Sequence, residues 1–584
     1  MNAIRELPWT FLDDFRDKAF TGEWPTLPQL FSITASRYPD RPCFTAYEPE
    51  RRSLNYTEAE AVIRRVAGAL RSLGVGAGGC VAVTGKNGPE WAVAYLAALT
   101  AGAVVVPIDY QLSTPEIANL VKAGDASVLF SDEEKRQELA ASCPGLKAVF
   151  RLEKGGEGYI YDLAASAPPP VESPKSEDLA AILFTSGTTG TPKGVMLTHK
   201  NLVSDCFLAQ ANLTVLPTDV FYALLPLHHS YTMLAVFIEA ISTGAEVVFG
   251  KRMVTKQILK DLKEAKITMF LGVPLLFNKV LAGIMRGVKE KGPLVYGLIR
   301  AMMGLSGLIK RLTGVNPGKK LFHTILEKAS LSTIRVCISG GGPLAPSVFK
   351  AYNQLGIDFI QGYGLTETSP ILTLNPKEAF IITSVGKLIP RVEMKVLEPD
   401  AEGIGEIAVK GPMVMSGYYK MPEETAKVFT PDGWFTTGDL GYVDAEDYVY
   451  LTGRAKNLIV TEGGKNVYPE EIESRFQLFD EVEQILICGF IEDEEMKSEG
   501  IEAMIFPNAE RFKRAAAPAK LAAPAKLAEA EAVDWAAAES RLRKVVDEVN
   551  LKLLPYQRIG RVTILREPLE MTTTKKVKRH VVGR

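Results

Sequence analysis

The sequence predicts an α/β protein: a large N-terminal domain of helix-covered, mainly parallel sheets plus a small β subdomain, followed by a small α/β C-terminal domain. Three observations carry this expectation. Helix and strand patterns alternate over residues 25–110, with the apolar run Val81-Ala82-Val83-Thr84 opening into Gly85-Lys86-Asn87-Gly88. Two later runs, Arg335–Leu344 and Phe359–Ser369, each read as a strand running into a glycine turn, which places binding groups at the carboxyl edge of a sheet. From Val385 to Gly438 the pattern changes to short alternating strands such as Gly405–Lys410, separated by turns.

The totals set outer bounds. A length of 584 residues suggests two to four domains with ample core, and 47% hydrophobic and 23% charged residues are ordinary for a soluble globular protein. A net charge of −2 gives no reason to expect nucleic-acid binding. The six cysteines are scattered without a Cys-x-x-Cys pair and no secretory leader opens the chain, so a reducing cytoplasm is expected. The most membrane-like run, Trp91–Ile108, is interrupted by Gly102 and Pro107 and reads as a buried helix followed by the strand Ala103–Val106. No transmembrane helix is expected.

In chain order, Ser113-Thr114-Pro115-Glu116 has the hydroxyl, proline and acid of a helix start, and Leu129-Phe130-Ser131 reads as the next strand. The Pro-, Ala- and Ser-rich stretch 164–174 reads as a linker. It delivers the chain to the apolar run Leu179–Phe184 and then to Thr185-Ser186-Gly187-Thr188-Thr189-Gly190-Thr191-Pro192-Lys193-Gly194. That string has the chemistry of a phosphate cradle: glycines let backbone N–H groups turn inward, hydroxyls add donors, and Lys193 adds charge. It is not a Walker loop, because no Gly-Lys-Ser/Thr triplet closes it.

Beyond it, Leu224–Tyr231 ends a strand in the adjacent His228 and His229, which favours a site lining, and Glu246–Phe249 and Thr268–Gly272 continue the strand series. Residues 286–328 carry nine Lys or Arg against two acids. Leu294, Leu298, Met302, Leu305, Ile309 and Leu312 there fall on one helical stripe, with Arg300 and Arg311 facing away. Such a helix lies on an anionic membrane or packs its stripe on its own domain. Beyond Arg454 a separate small α/β unit follows, interrupted by the Ala-Pro-Lys repeats of 514–526.

Taken in order, Thr185–Gly194, Pro226–His229, Gly362–Thr368, Thr437–Asp439, Gly453–Lys456, Gly463–Glu471 and Thr572–Arg579 resemble the motifs of the adenylate-forming superfamily of acyl-CoA synthetases, peptide-synthetase adenylation domains and luciferases. The resemblance runs from about residue 28 to the C-terminus. It implies a carboxylate attacking the α-phosphate of ATP to give an acyl-adenylate and pyrophosphate, after which a thiol displaces AMP to give a thioester. It also implies an N-terminal domain of residues 1–452 and a mobile C-terminal domain of residues 453–584 that swings about a hinge at Lys456.

By that resemblance Glu367 holds Mg²⁺ with Thr185 nearby, and Thr185, Ser186, Gly187, Thr188, Thr189 and Gly190 with Lys193 hold the β- and γ-phosphates. Tyr363 stacks on adenine, Gly340, Gly341 and Gly342 run along the ring, and Gln361, Gly362, Gly364 and Thr366 complete the nucleotide edge. Asp439 accepts hydrogen bonds from the ribose hydroxyls, a role that suits a carboxylate facing two donors, and Arg454 adds a charged contact. Lys576 matches the adenylation lysine, although Lys575 stands where many members have glycine. Gly463, Gly464 and Lys465 serve the thiol step with CoA, and His229 gates the acyl pocket, with Tyr231 and Leu234 as lining.

The segment 286–328 and the string Ile459–Pro469 resemble long-chain fatty acyl-CoA synthetases, which implies a fatty acid, ATP, Mg²⁺ and CoA, while the basic amphipathic pattern of 286–328 itself raises the expectation of peripheral membrane contact. An aryl or medium-chain acid ligase, a ligase using acyl carrier protein, and a non-catalytic acyl- or nucleotide-binding module are the alternatives.

Overall fold

The structure is a computed structural model that describes residues 7–164, 173–185, 192–251, 253–461, 465–477, 479–493, 498–513, 533–572 and 577–579. Two large sheets form its N-terminal part. The first has seven strands in the spatial order Gly417–Tyr418, Lys193–Thr198, Leu179–Thr185, Val104–Ile108, Cys80–Thr84, Ala126–Ser131 and Ala148–Arg151. The last five pair in parallel, and the first two are antiparallel additions at the edge.

The second sheet has thirteen strands. Its parallel block runs Asp358–Tyr363, Val336–Ser339, Met269–Gly272, Val220–Ala223, Glu246–Phe249 and Pro42–Ala46. Two very short antiparallel strands, Thr373–Leu374 and Gly386–Leu388, connect this block to Tyr448–Arg454, Phe435–Val443, Gly405–Lys410 and Glu393–Leu397. The short strands expected between Val385 and Gly438 therefore extend the main sheet. Where Phe435–Val443 meets Tyr448–Arg454 the register shifts between Leu440 and Gly441, a bulge, and Gly386 adopts a positive φ of 119°.

The local expectations hold where sequence chemistry is strong. Helix Pro89–Thr100 is apolar all round, is buried from Pro89 to Leu99, and feeds the parallel strand Val104–Ile108. Trp91 stacks on Tyr95 at 5.4 Å between ring centroids, and Phe237 meets both rings edge-on at the centre of the largest core cluster. Helix Thr114–Ala123 starts after Ser113, whose backbone N–H donates to Glu116 Oε2 at 2.8 Å. Most of the expected linker, residues 165–172, lies outside the described residues.

Helix Pro293–Thr313 departs from the sequence expectation. Met303 and Ser306 are its buried positions, and Ile299 and Met302 pack against the second core cluster, while Leu294, Leu298, Leu305, Leu308 and Leu312 face outward. The helix has two apolar faces, and the side richer in Met and Ile is the one that covers its own domain.

The small C-terminal domain has its own core. Strands Val482–Asp493, Ser498–Pro507 and Arg561–Ile564 form a three-stranded sheet, and Ile472, Phe476, Leu542, Val545 and Val549 from helices Pro469–Phe476 and Trp535–Asn550 bury against it. None of the six cysteines, all among the described residues, is in a disulfide.

Candidate active site

Strand Leu179–Thr185 and strand Lys193–Thr198 form an antiparallel hairpin in which Thr185 sits opposite Lys193. The residues between them, Ser186, Gly187, Thr188, Thr189, Gly190 and Thr191, lie outside the described residues. Lys193 Nζ donates to Glu424 Oε2 at 2.6 Å and sits 5.0 Å from the centroid of the Tyr418 ring. Hydrogen bonds from Lys193 and Lys427 hold the Glu424 carboxyl down to about 2.

Tyr418 OH donates to Glu367 Oε1 at 3.0 Å. The edge strand Gly417–Tyr418 and the helix Pro422–Ala426 after it thus bring Lys193 and Glu367 to one place. Neither Tyr418 nor Glu424 follows from sequence reasoning, because both act across long separations with no fixed spacing.

Glu367 stands in the one-turn 3₁₀ helix Thr366–Thr368, beyond the strand Asp358–Tyr363. That turn is fixed from several sides. Met415 N–H donates to the Glu367 carbonyl at 2.8 Å, Ile371 N–H donates to Asp205 Oδ2 at 2.9 Å, and the hydroxyls of Ser230 and Thr366 lie 3.1 Å apart. Asp205 is fully buried, and burial drives its carboxyl well above the ordinary range. Gly364 has no room for a side chain, because an added Cβ would strike the Pro370 carbonyl.

In the middle of the strand Phe435–Val443, Asp439 is clamped. Tyr363 OH donates to its Oδ2 at 2.7 Å, and Arg454 Nε lies 2.9 Å from its Oδ1. Asp439 and Arg454 are paired across the strands Phe435–Val443 and Tyr448–Arg454. Burial and the Asp439 charge push the Tyr363 phenol well up, so it remains a donor. Gln361 is buried, and Gly362 and Tyr363 pair with Leu374 and Thr373.

Gly340, Gly341 and Gly342 follow the parallel strand Val336–Ser339. Tyr231 OH donates to the Ile338 carbonyl at 3.1 Å, and its ring lies 2.9 Å from where a Cβ on Gly340 would stand, so the first glycine makes room for Tyr231. His228 and His229 follow the strand Val220–Ala223 with ring centroids 4.1 Å apart. His228 Nε2 is 3.6 Å from Asp109 Oδ2, but burial pushes its imidazole down to about 3, so this is a contact of a neutral ring. The His229 carbonyl accepts from Met233 N–H at 2.9 Å, and from Met233 to Ile238 the chain winds as a π-helix, with Leu234 fully buried. Beside Pro226 lies a groove of about 290 Å³ whose lining includes Leu224, Ile258, Val273 and Leu276, with Lys251 and Lys279.

The C-terminal domain meets this region directly. Gln477 Oε1 accepts from Ala345 N–H and its Nε2 donates to the Pro343 carbonyl, both at 2.9 Å, just past the triple glycine. Lys456 lies in the turn Ala455–Asn457 directly after Arg454, and burial together with Arg454 and Arg579 pushes its ammonium down. Lys465 is exposed, whereas Gly463, Gly464, Lys575 and Lys576 lie outside the described residues. The chain flanking the last pair is anchored: Met571 and Val577 form an antiparallel bridge, and Arg579 donates to the Ile487 carbonyl at 2.8 Å and to Glu473 Oε1 at 2.5 Å. Burial pushes the Glu473 carboxyl up to about 7 against the pull of Arg579. Among the described residues no group of three or more His, Cys, Asp or Glu could hold a metal ion.

Comparison with known proteins places this geometry. The chain is 32% identical over 456 residues to the long-chain-fatty-acid–CoA ligase FadD15 of Mycobacterium bovis, covering 74% of each chain. It is 28% identical over 478 residues to a feruloyl-CoA synthase of an Amycolatopsis species, covering 80% of this chain and 85% of the relative. Its fold matches the crystal structure of ATP-bound MatB from Rhodopseudomonas palustris with a TM-score of 0.72 at 26% identity, over 96% of this chain and 98% of the other. The model of the AMP-binding enzyme family matches residues 31–419, and the chain belongs to that family.

Proposed function

We propose that this enzyme activates a long-chain fatty acid as its acyl-adenylate, releasing pyrophosphate from ATP, and then transfers the acyl group to the thiol of CoA, releasing AMP. The observation that carries the adenylation half is the meeting of Lys193 and Glu367 around Tyr418 and Glu424, next to the Asp439 clamp. It brings together a cation and a carboxylate, and adds in Asp439 a second carboxylate able to accept from hydroxyls.

In this reading Lys193 exchanges Glu424 for the β- and γ-phosphates, together with the loop Thr185–Gly190. Asp439 accepts from the ribose hydroxyls with Arg454 beside it, while Tyr363, with its hydroxyl tied to Asp439, presents its ring to adenine beside Gly340–Gly342. Mg²⁺ binds through one or two carboxylates plus substrate phosphates, a chemistry that the Glu367 carboxylate fits, so Glu367 with Thr185, at the end of its strand, would hold it. When bound, the ion offsets phosphate charge as the two anions come together.

Lys576 brings its ammonium to the reacting carboxylate and the α-phosphate oxygens. Residues 453–584 then turn about Lys456 so that the Gly463-Gly464-Lys465 loop faces the site for attack by the thiol. His229 gates the acyl pocket.

The long-chain assignment is supported by the FadD15 relative and by the groove beside Pro226, to which Leu224, Ile258, Val273 and Leu276 give an apolar wall. At ~0.8 kcal/mol per buried CH₂, eight extra methylenes contribute up to ~6 kcal/mol before binding costs, enough to discriminate chain length. The feruloyl-CoA synthase relative favours a second reading, an aryl acid substrate on the same adenylation machinery. A panel of acids from butanoic to octadecanoic plus aryl acids, with CoA and acyl carrier protein offered separately and AMP release measured, tests both. Strongest turnover with long chains and CoA supports the proposal, and strongest turnover with cinnamate-type acids, or with carrier protein alone, replaces it.

A further inference from the structure

The helix Pro293–Thr313 is covered on one side only. Met303 and Ser306 are buried beneath it, and Lys310 Nζ donates to Asn353 Oδ1 at 2.8 Å and Asp358 Oδ1 at 3.0 Å, tying that side to the domain. On the other side Leu294, Leu298, Leu305, Leu308 and Leu312 recur at helical spacing as one continuous stripe, completed by Ala301. Leu294 is 89% exposed, Leu298 61% and Leu312 74%, and among the described residues nothing covers them. A row of solvent-facing leucines of this length marks an interaction surface.

Charge decides between occupants. The helix carries Arg300, Lys310 and Arg311 and no acid, and the surrounding segment 286–328 has nine Lys or Arg against two acids. Lys310 is spent on Asp358, whereas Arg300 and Arg311 project about 100° to one side of the leucine stripe, at ~100° of rotation per residue. A second copy of the helix would offer no carboxylate to these arginines. A sheet of lipid phosphates offers opposite charge along the whole face.

We infer that the outer face of residues 293–313 docks on an anionic lipid bilayer, with the leucines entering the acyl boundary and Arg300 and Arg311 lying at the headgroup phosphates. The helix lies in the interface, since among the described residues no helix is long and apolar enough to cross a membrane. The inference is independent of the substrate proposed above.

Flotation of the full-length chain with vesicles tests it. Wild type should float with phosphatidylglycerol-rich vesicles far more than with phosphatidylcholine alone, and added salt should weaken that binding. The double variant L298E/L305E, at exposed positions outside the candidate active site, should keep the wild-type melting temperature and lose at least about tenfold in partition, a change of about 1.4 kcal/mol. R300Q/R311Q should lose the preference for the anionic lipid. Absent flotation, equal flotation with both lipids, or equal flotation of L298E/L305E and wild type overturns the inference. So does a wild-type dimer in light scattering that L298E/L305E converts to monomer, which would assign the stripe to a second copy.

Discussion

Lys193 and Glu424, 231 residues apart in sequence, are joined at 2.6 Å, so the cation proposed for the nucleotide phosphates has a carboxylate partner of its own. With its carboxyl held down to about 2, Glu424 stays ionised at every pH in ordinary use. Phosphate binding must therefore compete with a carboxylate.

The first prediction follows from that competition. Glu424→Ala should lower the KM for ATP in pyrophosphate exchange about twofold to fivefold, the scale of a partly exposed ion pair, and leave kcat near wild type. A raised KM would mean that Glu424 aims Lys193 at the phosphates.

The Asp439 clamp makes the second. Asp439→Asn keeps the shape but removes the charge that Arg454 faces and the strong acceptor proposed for the ribose. The KM for ATP should rise about tenfold to a hundredfold, and AMP binding by calorimetry should weaken in proportion. Tyr363→Phe removes one hydrogen bond to the same carboxylate and should cost about threefold to tenfold. Unchanged nucleotide affinity in both variants would remove Asp439 from the nucleotide site.

Division of labour between the half-reactions gives the third. Lys576→Ala should nearly abolish pyrophosphate exchange while sparing thioesterification of supplied acyl-adenylate, and Lys456→Pro should impair thioester formation more than adenylation. Equal loss in both half-reactions for Lys576→Ala, or normal overall turnover for Lys456→Pro, would contradict the assignment concerned.

A buried carboxyl supplies the fourth. Glu239 is buried and accepts from Gln210 Nε2 at 2.8 Å, and desolvation pushes its carboxyl from 4.5 to about 8. Between those values the folded state binds more protons than the unfolded state, so this group's stabilisation is complete at low pH and is lost as pH rises through about 8. Glu239→Gln should therefore melt close to wild type at about pH 5 and higher by on the order of 5 °C at about pH 9, read by calorimetry. An equal difference at both pH values would refute the raised carboxyl.

Much of this was legible in the sequence where local chemistry decides the outcome. Gly405–Lys410 forms the strand that its alternation predicts, Ser113 and Glu116 start their helix, and the run Trp91–Ile108 divides into helix and strand around Gly102. Lys193 is legible in its run of glycines and hydroxyls, and Glu367, Asp439 and Arg454 through the resemblance of their motifs to the adenylate-forming superfamily. Tyr418, Glu424, Asp205 and Gln477 do not, because each acts through a partner far along the chain with no spacing rule to connect them. The helix 293–313 was ambiguous for another reason. It carries two apolar faces, and periodicity reports that a face exists without saying which one meets the core.

Three strands stand between those of Tyr363 and Asp439 in the sheet, which at about 4.8 Å per step would set a flat sheet's two outer strands about 19 Å apart. The phenol and carboxylate are nevertheless 2.7 Å from each other. The sheet must curl back over itself there like an open half-barrel, with the bulge at Leu440 and Gly441 and the left-handed backbone of Gly386 absorbing the bend. The approach of Tyr363 to Asp439 is thus a property of backbone curvature, set when the chain folds, and side chains at Gly386 or Gly441, which would strike neighbouring backbone, would disturb it without touching either residue.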